Sequence, residues 1–133
     1  MGFDPQAILA NLAEKEKIKG HHSPEGRAIR TVSRAMNGWS SGNLSELDAL
    51  VLCDQAMEDW LKARLHAPPW SARSLPELLE KAVDKELIMR LEAVRLQRIR
   101  NIRFRLHDEG ESIATHEAED ILEFCIQLLE KCW

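Results

Sequence analysis

The chain is 133 residues long, 44% hydrophobic and 30% charged, with a formal net charge of −4. A domain near this length buries roughly 70% of the surface its unfolded chain exposes, so it builds a core without metal or disulfide staples. The composition argues against a disordered or membrane-embedded chain, and the acidic balance against wholesale coating of DNA, though not against a local basic site.

Read in chain order, the pattern is helical nearly throughout, with no sustained apolar–polar alternation. Asp4-Pro5 is a cap followed by proline at the first helical position, and Gly20 closes the turn. This predicts a helix over about 5–19, with Ile8, Leu9 and Leu12 on one side. Ser23-Pro24 repeats the start signal for a helix to about residue 39, carrying Ala28, Ile29, Val32, Ala35, Met36 and Trp39. Residues 37–43 are a breaker cluster. Ser45 caps the next helix, whose stripe is Leu50, Cys53, Met57, Trp60, Leu61 and Leu65; Pro68 and Pro69 stop it near His66. Ser74 and Glu77 fit a capping box ahead of Leu75, Leu78, Leu79 and Ala82. At Asp84 the chain either recaps or bends, and Ile88, Leu91, Ile99, Ile102 and Leu106 carry the stripe on to His107. Thr115 caps a last helix lined by Ala118, Ile121, Leu122, Cys125, Ile126, Leu128 and Leu129.

Three cysteines, Cys53, Cys125 and Cys132, form no metal-ligand spacing, and the first two behave as small hydrophobes. The longest apolar run is the five residues Ala49–Cys53, far short of a membrane span, and no signal peptide is visible. The expectation is a reduced, cytoplasmic protein without cofactor or metal. No Gly-rich phosphate loop, GxSxG elbow or HExxH is present. His21-His22, His66 and His116 read as exposed or capping histidines, Asp54 and Glu58 as a surface pair one turn apart, and Trp70 and Trp133 as exposed partner-surface candidates.

Charge is placed unevenly. Residues 90–105 hold six arginines (Arg90, Arg95, Arg98, Arg100, Arg103, Arg105) against Glu92, and residues 108–123 hold seven acids and no Lys or Arg. On a helix, Arg100 and His107 differ by about 20° in direction and about 10.5 Å along the axis, and Arg103 lies one turn before His107. The three form a polar stripe beside the core stripe. A histidine takes a proton near neutral pH, and arginines hold a phosphodiester and stabilise its charge. Those groups suffice, without a metal, for a ribose 2′-hydroxyl to attack the adjacent phosphate.

Arg100-Asn101, then His107 after six residues, Gly110 and the helix that follows resemble the HEPN superfamily, whose signature is arginine, a polar residue, four to six residues, then histidine. The resemblance covers about residues 45–133. It implies an all-α, four- or five-helix up-and-down bundle over 45–133, with 1–44 as an N-terminal helical extension. It also implies a homodimer in which two Arg/His motifs share a cleft. In active members that cleft is a metal-independent endoribonuclease, which makes Arg100, Asn101 and His107 the catalytic set and Arg98, Arg103 and Arg105 the RNA-binding set. Spacing leaves open whether Arg100 or Arg103 is the working arginine. Many toxin members carry a tyrosine where this chain has Glu109, and a carboxylate there repels phosphate. Three readings follow: an RNase of a toxin–antitoxin or defence pair, with an antitoxin or nucleotidyltransferase partner; a non-catalytic module of the same fold that binds a protein or nucleotide; or, outside the family, a plain helical adaptor with no nucleic-acid role.

Overall fold

Four of the helix-start signals act as read. In the computed structural model, which describes residues 4–68, 73–110 and 112–131, Asp4 caps α1 (Pro5–Lys19), Ser23 caps α2 (Pro24–Ser40), Ser45 caps α3 (Glu46–Arg64) and Ser74 caps α4 (Leu75–Asp84). In all four the side-chain oxygen accepts a backbone N–H of the first turn, which satisfies one of the donors a helix start leaves open. The chain recaps after Asp84. Glu86 turns through a positive φ of 60°, and α5 (Arg90–Glu109) begins with the Met89 N–H donating to Glu92 Oε1 at 2.8 Å. Gly110, at φ 67°, ends α5 in the left-handed conformation that glycine adopts without strain. Thr115 does not cap the last helix: it is the first residue of α6 (Thr115–Lys131), and its hydroxyl donates to Glu46 Oε1 instead. No strand occurs among the described residues. Trp70, Cys132, Trp133 and the side chain of Glu109 lie outside them.

The fold is an all-helical bundle arranged around α3, which packs against α2, α4, α5 and α6. That position explains its sequence. Ala49, Leu50, Cys53, Ala56, Met57, Trp60 and Leu61 are all buried, on more than one side of the helix, as expected of a helix enclosed by its neighbours. The two buried thiols, Cys53 and Cys125, come from α3 and α6; the Cys125 thiol is pushed well above its ordinary range by its hydrogen bond with Cys53 and by burial.

The stretch 1–44, set apart in the sequence as an extension, contributes to the same core. Leu12 of α1 and Ala28, Ile29, Val32, Ala35 and Met36 of α2 join the residues of α3–α6 in one cluster. The turn between α1 and α2 is tied by Glu16, whose carboxylate takes His21 Nδ1 at 2.7 Å and Arg30 Nε at 3.2 Å, while Arg30 Nη2 donates to the His21 carbonyl. The predicted stripe holds at Ile88, Ile99, Ile102 and Leu106, all buried, but not at Leu91, which is 72% exposed; Leu96, outside that reading, is buried too.

Candidate functional site on helix α5

The arginine stripe of α5 is directed at α3, and what it meets there is a pair of carboxylates. Arg100 Nε donates to both oxygens of Asp54, at 3.2 and 2.9 Å, and its Nη2 donates to Glu58 Oε1 at 2.7 Å. Arg103 Nη1 donates to Asp54 Oδ2 at 2.7 Å, and Lys62 Nζ donates to Glu58 Oε2 at 3.1 Å. Three cations and two carboxylates form one chain of charge-assisted bonds across the α3–α5 seam. The side chains of Asp54, Lys62, Arg100 and Glu58 are 3%, 8%, 15% and 19% exposed.

Burial alone pushes the Glu58 carboxyl up, but hydrogen bonds and charge from Arg100 and Lys62 outweigh it and hold the group below its ordinary value. Burial likewise disfavours the Arg100 cation, and the bonds to Glu58 and Asp54 reverse that and raise its pKa. Next to the network, Asp59 has no such cation on its oxygens. Burial raises its pKa, and the bond from Gln55 opposes this without cancelling it.

The surface reading of Asp54 and Glu58 is therefore corrected: Asp54 is buried, and both carboxylates anchor the arginines. The signal was in the sequence. Leu50, Cys53, Asp54, Met57, Trp60 and Leu61 run i, i+3, i+4, i+7, i+10, i+11, so Asp54 occupies a core position of an amphipathic stripe. A carboxylate there requires a cation from a neighbouring element. Glu58 and Lys62 continue at i+8 and i+12.

The remaining residues of the predicted set are dispersed. His107 is 75% exposed at the end of α5, with its Nδ1 3.1 Å from the carboxylate of Asp108. Arg103, 27% exposed, is the part of the network nearest the surface. Asn101 is exposed and accepts from Gln97 Nε2 at 3.1 Å. Arg98 and Arg105 stand in solvent on the outer side of α5 and make no ion pair among the described residues. Within one chain, then, Arg100 and Arg103 converge on Asp54, while His107, Asn101, Arg98 and Arg105 do not join them. No cluster of three metal-ligating side chains occurs among the described residues, and no helix there is long and apolar enough to cross a membrane. Compared with known protein families, curated proteins and solved structures, the chain matches none.

Proposed function

We propose that this chain is a non-catalytic helical interaction module of the HEPN type, which binds a protein partner through α5. One observation carries the reading: the guanidinium of Arg100 is already held on two sides by Asp54 and Glu58. To bind a phosphodiester, Arg100 must leave two part-buried carboxylates, and an approaching phosphate must come close to the same negative charges. Breaking such a pair from one side costs about 3–5 kcal/mol, more than a surface phosphate contact returns. The acidic residues at the end of α5 and in the segment beyond it add repulsion.

The endoribonuclease reading, with its RNA substrate and its antitoxin or nucleotidyltransferase partner, retains one observation of its own. His107 and the part-exposed Arg103 lie one turn apart on the same helix, and Arg98 and Arg105 leave further positive charge open to solvent. Incubation of the purified protein with a mixed RNA pool in EDTA separates the two readings. We expect no more cleavage from the wild type than from His107→Ala. Cleavage that falls ~10²-fold or more in that variant, the range of a lost general acid–base, establishes the nuclease.

A further inference from the structure

We infer that the groove between α5 and α6 receives an amphipathic helix of a different protein, one with an apolar ridge, acidic side chains on the flank over α5 and basic side chains on the flank over α6. This rests on the reading above, in which α5 binds a protein partner, and names the face and the partner's chemistry. α5 and α6 each pack on α3 rather than on each other, which leaves a channel between them. One end of the channel is apolar. Met89, Leu91 and Val94 on the α5 side meet Phe124 and Leu128 of α6 around a cavity of about 440 Å³. Met89, Leu91 and Val94 are 57%, 72% and 56% exposed, a cluster of large apolar side chains of the kind that marks an interaction site. The other end is a smaller cavity of about 180 Å³ over Ile99, Ile102 and Ile121, with Arg95 and Arg98 on one wall and Glu117 and Asp120 on the other.

The two charged walls do not close on each other. None of the four side chains makes an ion pair among the described residues, so each wall keeps its charge toward an occupant. Arg95 lies over the Phe124 ring, 4.1 Å from its centroid.

These features select the occupant. The backbone groups of α5 and α6 are bonded within their own helices, so a strand finds no sheet edge to extend. A proline-rich segment needs an open aromatic wall, and Arg95 covers the Phe124 ring. A nucleic-acid strand is repelled by Glu117 and Asp120 and gains little from the apolar end. A helix laid lengthwise sets an apolar ridge into the channel and presents one flank to each wall. Like charges facing across an interface are strongly disfavoured, so the flank over Arg95 and Arg98 is acidic and the flank over Glu117 and Asp120 is basic. From Leu91 to Ile102 the channel runs about 16 Å, or about three turns of the occupant. Its unlike ends also fix the direction. Reversing the helix exchanges its flanks and moves its large apolar side chains onto the narrow, charged end.

Two synthetic peptides test the assignment. Each is about 14 residues long and held helical by a staple on its outer face, because so short a helix is marginal alone. They carry the same apolar ridge and the same net charge, and differ only in which flank bears glutamate and which bears lysine. By fluorescence anisotropy with the full chain, we expect the matched peptide to bind about tenfold or more tightly than the exchanged one. Arg98→Glu and Asp120→Arg should each weaken the matched peptide, and the double variant should prefer the exchanged one. Both side chains are exposed, so the variants keep the fold, which circular dichroism checks. Val94→Asp should weaken both peptides. Phe104→Ser, at an exposed apolar residue of α5 outside the groove lining, should weaken neither. Equal affinity for the two peptides, no binding at ~100 μM peptide, or a preference unchanged in the double variant overturns the proposal. Displacement of the matched peptide by a single-stranded RNA oligonucleotide overturns it in favour of nucleic acid. Its exclusion by dimers that Val94→Asp dissolves overturns it in favour of a second copy. RNA cleavage in EDTA is read separately. A cleaving chain that discriminates between the peptides refutes the non-catalytic reading and leaves the groove assigned, whereas a non-cleaving chain that does not discriminate loses the groove alone.

Discussion

Asp54 stands where the helical pattern calls for an apolar side chain, and it is the residue on which the α3–α5 seam depends. It accepts from Arg100 and Arg103 together. Asp54→Ala leaves the three cations of the network with Glu58 as its one remaining carboxylate, and urea denaturation at neutral pH should show a loss of about 3–5 kcal/mol. Arg100→Ala should cost a similar amount, because it withdraws the guanidinium that both carboxylates share and leaves Asp54 with Arg103 and Glu58 with Lys62 alone. The two carboxylates next along the helix respond to pH in opposite senses. Glu58 titrates below its ordinary value of 4.5 in the folded chain, so its contribution is present above that pH and is lost as pH falls through the lower folded value. Asp59 titrates above its ordinary 3.8, so its ionisation opposes folding; that cost is absent below 3.8 and complete once pH exceeds the folded value. Glu58→Gln should therefore lower the urea midpoint at about pH 7, and Asp59→Asn should raise it, with both differences vanishing near pH 2.

At the scale of elements, α5 does three things on three sides. Leu96, Ile99, Ile102 and Leu106 enter the core, Arg100 and Arg103 grip α3, and Leu91, Val94, Arg98 and Arg105 face outward. The α1–α2 corner is set by close backbone approach. A Cβ on Gly26 would stand 2.1 Å from the carbonyl oxygen of Gly20, a backbone atom with no freedom to withdraw, because the N–H of Ser23 and the Ser23 hydroxyl also bind it. Gly26→Ala should cost about 1–3 kcal/mol, as overpacking does. The loss should appear as a lower Tm with fraying of α1 in hydrogen exchange. Gly110 serves a different need. Open space surrounds it, and only its positive φ favours glycine there.

At the scale of the whole molecule, the N-terminal helices and the rest of the bundle share one core. Ile29, Val32 and Met36 are buried beside Cys53, Met57 and Trp60. Burying a side chain of this size contributes about 1.5–3 kcal/mol, so removing α1 and α2 takes away four such contributions, with Leu12 of α1 as the fourth, and uncovers the matching face of α3. The sum is comparable with the ~5–15 kcal/mol by which a domain is stable at all. A fragment beginning at Ser45 should show no cooperative urea transition by circular dichroism. A sharp transition from that fragment would mean that α3–α6 form a core of their own.

The sequence by itself determined the all-helical class and nearly every helix boundary, because caps, prolines and glycines act over four residues and need no distant partner. It also located the arginine-rich helix and the stripe that holds Arg100, Arg103 and His107, since these follow from a fixed turn of 100° per residue. It determined neither what that stripe touches nor which helix lies opposite. Asp54 and Arg100 are 46 residues apart, and only the packing of α5 on α3 converts an apparent surface carboxylate into the buried partner of an apparent catalytic arginine. Leu91 shows the same limit in reverse. It belongs to the apolar periodicity of its helix, yet it is exposed, because α6 packs against α3 and leaves the start of α5 uncovered. Periodicity states which residues share a face; what that face meets is decided by tertiary packing.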